Sequence, residues 1–292
     1  VQEIKRFDRV ITGSLDSPFH QHFDIFSDPN RLVPYRSTEA EQNATLKDNF
    51  EQCDAVAYQS GFAKHMTEKA FGVKPGYNRD QPYVLNAGIP DFPKEFVKWK
   101  QGDEIYIATC AVWRAWKRLH EIERLTRLIG STGQKITTFV IGRANTEKGL
   151  YNLPLHGENY DIEYLGMHNH EFMKELYHKC HMFWQLSFND YSPATALEAQ
   201  AWGLPVLAAN SGGIKDGLGD SGLVIDTDPF VDYPFNIQSE AVIPLINDDK
   251  FLKGFLTIMY NLESYQQKNK EHVLIEANST FQAKKLLKIY EN

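Results

Sequence analysis

Apolar and polar positions alternate in two rhythms along this chain. Short runs rich in β-branched and aromatic residues, bounded by polar punctuation, predict buried strands at 54–60, 104–110, 136–142, 162–166, 181–187 and 204–209. A further strand is expected near 7–12. Between these runs the apolar residues recur at helical spacing. Leu119, Ile122, Leu125, Leu128 and Ile129 form one face of a helix expected over 116–129. Helices are also expected at 39–53 with Thr38 as cap, at 61–71, at 171–179 and at 194–202. The last of these has Pro193 at its mouth and stops at Gly203, as helix-terminus preferences require. Amphipathic helical patterning returns from Phe251 onward.

Strands alternating with helices imply a parallel sheet with crossover helices. Ligands of such sheets sit beyond the carboxyl ends of the strands. Arg114, Gly142, Gly166, Asp190 and Ser211 stand at those ends. Residues 190–213 concentrate the chemistry: Asp190 and Glu198 flank the helix at 194–202, and the next strand ends in Ser211-Gly212-Gly213, a turn whose bare backbone admits a ligand. Carboxylates accept hydrogen bonds from sugar hydroxyls and helix N-termini hold anions, so a ligand that is part sugar and part phosphate fits both. A glutamate inside an otherwise small and apolar helix is poorly explained by solvation. Asp190 has a simpler alternative as helix N-cap. Arg114, Lys117 and Arg118 cluster after the strand at 104–110, where the helix dipole disfavours cations and a bound anion accounts for them better.

The stretch 190–213 resembles the donor-binding signature of retaining GT-B glycosyltransferases of the family 4 type. That signature is an acid, seven residues, a glutamate opening an EAxAxGxPV strand, and a Gly-Gly turn. Here Asp190 is followed by seven residues, by Glu198-Ala-Gln-Ala-Trp-Gly-Leu-Pro-Val206, and by Gly212-Gly213. The family more often has Glu followed by Phe-Gly at the first acid; Asp190 with Ser192-Pro193 resembles a branch with Asp-x-Cys/Ser-Pro. Residues 53–64, CDAVAYQSGFAK, and 84–91, VLNAGIPD, are similar to two further family segments in the expected order.

The resemblance implies an α/β GT-B fold, two Rossmann-like domains facing a cleft. Residues 1–92, joined by a C-terminal helix at 278–292, form the acceptor-side domain, which is incomplete relative to the family because no glycine-rich loop precedes Val1. Residues 91–102 are expected as a linker and 103–277 as the nucleotide-sugar domain. The implied reaction moves a sugar from a UDP-, GDP- or ADP-linked donor to a glycan, lipid-linked or other hydroxyl acceptor, with retention and without a metal or cofactor. The resemblance also assigns roles. Glu198 holds the ribose hydroxyls, Asp190 the donor sugar, and Arg114 and Lys117 the departing diphosphate, with Arg118 competing for Lys117's place. Gly142, Ser192 and Ala194 join the donor-binding set, and Gly166 with Met167 contacts the base through backbone. Gly212 and Gly213 either lend N–H groups to the donor or form only a tight turn. The acceptor-side histidine is assigned to His20; a metal site at His20, His22 and Asp24 lacks further ligands. A non-catalytic sugar- or partner-binding module, and a nucleotide-sugar hydrolase or epimerase on the same fold, are the rival readings.

Composition narrows the class. Over 292 residues, 42% hydrophobic and 24% charged content is that of a globular protein of two domains. A net charge of −7 argues against a broad nucleic-acid surface. Cys53, Cys110 and Cys180 are odd in number, widely spaced and set in apolar segments, the pattern of buried thiols in a reducing compartment. With no apolar run long enough to span a bilayer and no secretory signal, a cytoplasmic location is expected.

Overall fold

The structure, a computed structural model, describes residues 10–12, 22–24, 28–33, 37–52, 55–72, 83–85, 88–143, 154–226 and 243–291. The larger sheet has seven strands: β5 (Ile105–Cys110), β6 (Ile136–Ile141), β7 (Leu155–His156), β8 (Tyr160–Gly166), β9 (Met182–Gln185), β10 (Val206–Ala209) and β11 (Leu223–Ile225). Their spatial order is β11-β10-β9-β5-β6-β8-β7, parallel except for β7 against β8. On β9, Met182 and Trp184 join one core cluster and Phe183 the other; on β10, Leu207 and Ala209 part from Val206 and Ala208 in the same way. Both faces are covered, so these strands read in sequence as continuous apolar runs.

One face is covered by α3 (Leu119–Ser131), through Leu119, Ile122, Leu125 and Ile129, and by α7 (Asp248–Tyr260), through Phe251, Phe255, Ile258 and Met259. The other carries α4 (His170–Tyr177), α5 (Ala194–Ala201) and α6 (Ile214–Leu218). Ala196 and Ala199 have no exposed surface, and their size lets α5 lie close on the strands.

Among the described residues before 72, the elements are β1 (Val10–Thr12), β2 (His22–Asp24), β3 (Asp28–Val33), α1 (Ser37–Gln52), β4 (Ala55–Ala57) and α2 (Gly61–Phe71). β1 pairs in parallel with β4, and β2 antiparallel with β3. After α8 (Leu262–Ile275), the last helix, α9 (Ser279–Glu291), returns to β4, and Gln282 Oε1 accepts the Leu85 N–H at 2.8 Å. The stretch 91–102 is tied to the helices it passes: the Asp91 N–H donates to Ala201 O at 2.9 Å, and Gln266 Nε2 to Val97 O at 2.9 Å.

One departure from the sequence expectation and one feature of the sheet bear on the site. The helix expected over 116–129 is two pieces, a 3-10 turn at Ala115–Lys117 and then α3. Arg118 separates them at φ 56°, in the left-handed region that no helix continues through. The cation that was expected at a helix start, Lys117, therefore lies outside the first turn of α3. The second concerns strand order. The chain runs β5, β6, β8 outward and then crosses back to place β9 on the other side of β5. The carboxyl ends of β5 and β9 thus bound the crevice where the strand order reverses, the place where open α/β sheets take their ligands.

Candidate functional site

Residues 111–118 leave β5 on one side of this crevice and residues 186–193 leave β9 on the other. Backbone joins the two loops: the Phe188 N–H donates to Trp116 O at 2.7 Å. Lys117 Nζ then reaches across to Asp190 Oδ2 in a short charge-assisted hydrogen bond, with the side chains 21% and 14% exposed. The same carboxylate oxygen takes a long contact of 3.4 Å from Gln185 Nε2, which also donates to Ser187 Oγ at 2.9 Å.

Asp190 does not cap α5. The cap position belongs to Pro193, no side chain bonds there, and no acid stands in the first turn. The amides at the mouth of α5, beside Ser192 and Ala194, are thus left without a side-chain acceptor, which suits an anion. Arg114 is exposed, its guanidinium 5.1 Å from the centre of the Trp116 ring, and no ion pair engages it among the described residues. Arg118 does not compete with Lys117 for an anion: it is fully buried, donating to Leu186 O and Pro244 O.

Glu198 is half-buried on α5; its carbonyl accepts the Trp202 N–H at 3.1 Å, while its carboxylate has no hydrogen bond or ion pair among the described residues. Burial pushes its carboxyl above the ordinary glutamate range, and the nearby His170 opposes that shift. Beneath it lies Cys110 at the end of β5. The Cys110 thiol is pushed up to about 11, first by burial and next by the charge of Glu198, while Tyr177 and Lys117 pull it down. Glu198 and Lys117 therefore both act on one thiol, with opposite sign. Thr195 Oγ1 donates to Cys110 O at 3.1 Å and holds α5 to β5. Cys110 and Cys180 are both free thiols, and Cys53 lies outside the described residues.

The glycines divide by cause. A Cβ on Gly212, at φ 79°, would stand 2.0 Å from the Asp190 carbonyl oxygen; one on Gly213 would stand 2.1 Å from Tyr191 O and 2.3 Å from Ser60 Oγ. The Gly213 N–H already donates to Asp190 O at 2.8 Å. The Gly213 amide is thus engaged within the tight turn, one of the two roles expected for it. Gly142 is similarly constrained, with its N–H on Gly166 O at 2.7 Å and its Cβ position 1.9 Å from Ala111 O. Gly166, at φ 71°, has open space around it, and Met167 beside it is 73% exposed. His20 lies outside the described residues. Among the described residues no group of three His, Cys, Asp or Glu side chains is placed to hold a metal ion, and no helix is long and apolar enough to cross a membrane.

Several participants escaped sequence reasoning. Gln185 and Ser187 carried a signal, polar residues inside an apolar run. Ser60 did not, whereas Asp216, like Asp220, stands near where the resemblance places a further acid, with a solvated side chain as the alternative: Ser60 Oγ donates to Tyr191 O at 2.7 Å, the Gly61 N–H donates to Asp216 Oδ2 at 2.8 Å, and Phe62 packs edge-on to Tyr191 with centroids 5.0 Å apart. These contacts bring the start of α2 against the loop that carries Asp190.

Residues 91–229 match the family model described as Glycosyl transferases group 1. The fold is that of the GT-B glycosyltransferases. TarM aligns with a TM-score of 0.63 at 13% identity, over 93% of this chain and 49% of that one. WaaG, a glycosyltransferase involved in lipopolysaccharide biosynthesis, aligns with a TM-score of 0.58 at 15% identity, over 87% and 68%. Anabaena Alr3699/HepE in complex with UDP aligns with a TM-score of 0.56 at 13% identity, over 96% and 71%. The chain thus spans about half the length of TarM. No curated protein matches it at a significant level.

Proposed function

We propose that this chain carries the donor site of a retaining glycosyltransferase, which moves a sugar from a nucleotide-diphosphate sugar to an acceptor hydroxyl. The observation that carries this reading is the Lys117–Asp190 pair at the strand-order reversal, with the half-buried carboxylate of Glu198 on the helix that follows. A diphosphate entering there meets Arg114, Lys117 and the open amides of α5. It takes over Lys117 and frees the Asp190 carboxylate to accept hydroxyls of the donor sugar. Glu198, whose burial makes an isolated charge costly, gains two hydroxyl donors from a ribose. UDP is the first choice of nucleotide, because three of the similar structures are complexes with it.

In the reaction the bond from the anomeric carbon to the β-phosphate oxygen breaks, and its electrons go to that oxygen. The acceptor oxygen bonds to the same face of the sugar, and its proton passes to the leaving phosphate. The transition state is oxocarbenium-like. Lys117 and Arg114 counter the charge growing on the diphosphate, which is where fixed cations lower the barrier. The acceptor enters from the side of α2. We propose residues 1–92 with 278–292 as the acceptor-side unit and 103–277 as the donor unit.

The test is calorimetric titration with UDP, GDP and ADP and their sugar conjugates, with and without EDTA. Binding of one nucleotide series, unaffected by EDTA, is expected. Absence of binding by all three refutes the reading. Product anomers, read from proton couplings, check retention.

A further inference from the structure

Among the described residues, two that are not glycine hold left-handed backbone: Arg118 at φ 56° and Asn189 at φ 51°. They stand next to the two paired charges, one directly after Lys117 and one directly before Asp190. Such a conformation is uncommon away from glycine, and arginine is not among the residues that favour it. What keeps Arg118 there is visible. Its side chain has no exposed surface; Nη2 donates to Pro244 O at 2.8 Å, Nη1 to Leu186 O at 3.3 Å, and the guanidinium lies 5.0 Å from the centre of the Phe188 ring. Its own carbonyl accepts the N–H groups of Glu121 and Ile122 at 3.0 and 3.1 Å and so starts α3. One residue therefore joins the loop after β5, the loop after β9, the start of α3 and the segment at Pro244.

We propose that Arg118 is a positioning residue: its buried guanidinium fixes the loop of Lys117 against the loop of Asp190 and so sets how firmly the site grips a diphosphate. Its meaning for the reaction rests on the donor-site reading above; the geometric claim does not. A planar fork with donors on two sides is what this role needs, because it bonds two carbonyls from different segments while stacking on a ring. Lysine keeps the charge and loses that geometry. Glycine suits the backbone angle and removes the strut entirely.

The experiment uses the whole chain with R118K, R118G and F188L, the last removing the aromatic face. Without any ligand, acylation of Lys117 by an amine-reactive ester is read by mass spectrometry against exposed Lys253 as reference. A positioning role predicts that Lys117 labelling rises several-fold in R118G and less in R118K and F188L, with Lys253 unchanged. With ligand, the ratio of UMP to UDP dissociation constants reports the contribution of the second phosphate. It is expected to fall about tenfold in R118G, the scale of a charge-assisted hydrogen bond lost, while UMP affinity holds. If R118G does not fold, the two conservative variants decide. Wild-type labelling and an unchanged ratio in the variants that fold overturn the proposal and leave Arg118 as a turn residue, for which R118G is expected to be the more heat-stable protein. Wild type binding no nucleoside diphosphate refutes the donor-site reading alone, since the labelling still decides the geometric claim.

Discussion

Glu198 is a carboxylate held where burial opposes its charge. A raised native pKa means that the folded chain binds the proton more tightly than the unfolded one. The associated stability is full below the unfolded value and lost as pH rises through the native value. Glu198→Gln is therefore expected to melt higher than wild type near pH 8 and equal to it near pH 4, while losing nucleotide affinity at both; a variant less stable at pH 8 contradicts this. Lys117→Ala leaves the Asp190 carboxylate part-buried without its cation, and kcat for transfer should fall by about 10²–10³, with nucleotide release a smaller change. A residual rate within twofold of wild type removes Lys117 from the reaction. His181 titrates with the opposite sign. It is 3% exposed, Nδ1 accepts the Tyr106 N–H at 3.0 Å, and burial holds its pKa below the ordinary histidine value. Its contribution is present above about pH 6.5 and drains away as pH falls toward the depressed native value. Melting temperatures from pH 8 to 5 should decline in wild type and decline less in His181→Gln.

At the scale of elements, the turns at the strand ends differ in what enforces them. Gly142 combines φ 109° with a Cβ position 1.9 Å from Ala111 O, whereas Gly166 combines φ 71° with empty space. Gly142→Ala should cost about 3 kcal/mol or more in denaturant unfolding, because backbone must move. Gly166→Ala should cost only the left-handed strain of about 1–2 kcal/mol. Equal costs at the two positions would mean that β5 and β6 yield at Ala111. The strands themselves were legible in sequence, since Met182, Phe183, Trp184 and Val206 to Ala209 fill both faces of one sheet. The break between Lys117 and Leu119 was not. Helical spacing from Leu119 onward is a local pattern, but the left-handed turn depends on carbonyls at Leu186 and Pro244, 68 and 126 positions away.

At the scale of the whole molecule, α2 meets the Asp190 loop through Ser60, Gly61 and Phe62. Asp216 supplies the acceptor for an amide at the start of α2, and the nearby Tyr191 carbonyl and Ser60 side chain leave no room for a side chain at residue 213. Asp216→Ala should speed hydrogen exchange at Gly61 to Ala63 and leave β5, β6 and β9 protected. Unchanged exchange at these amides shows that the contact does not hold the two parts together.

Residue types and spacing were enough to draw most of the elements, to single out Asp190, Glu198, Arg114 and Lys117 as candidates, and to suggest a ligand both sugar-like and anionic. Periodicity and capping act within a few turns or one strand, so such features are carried in the local order of residues. Which groups meet was settled by strand order. Lys117 and Asp190 are 73 positions apart and touch because β9 crosses back beside β5. The same reversal buries Arg118 and turns Gly213 inward, outcomes that depend on packing between distant segments and leave no mark in the local pattern.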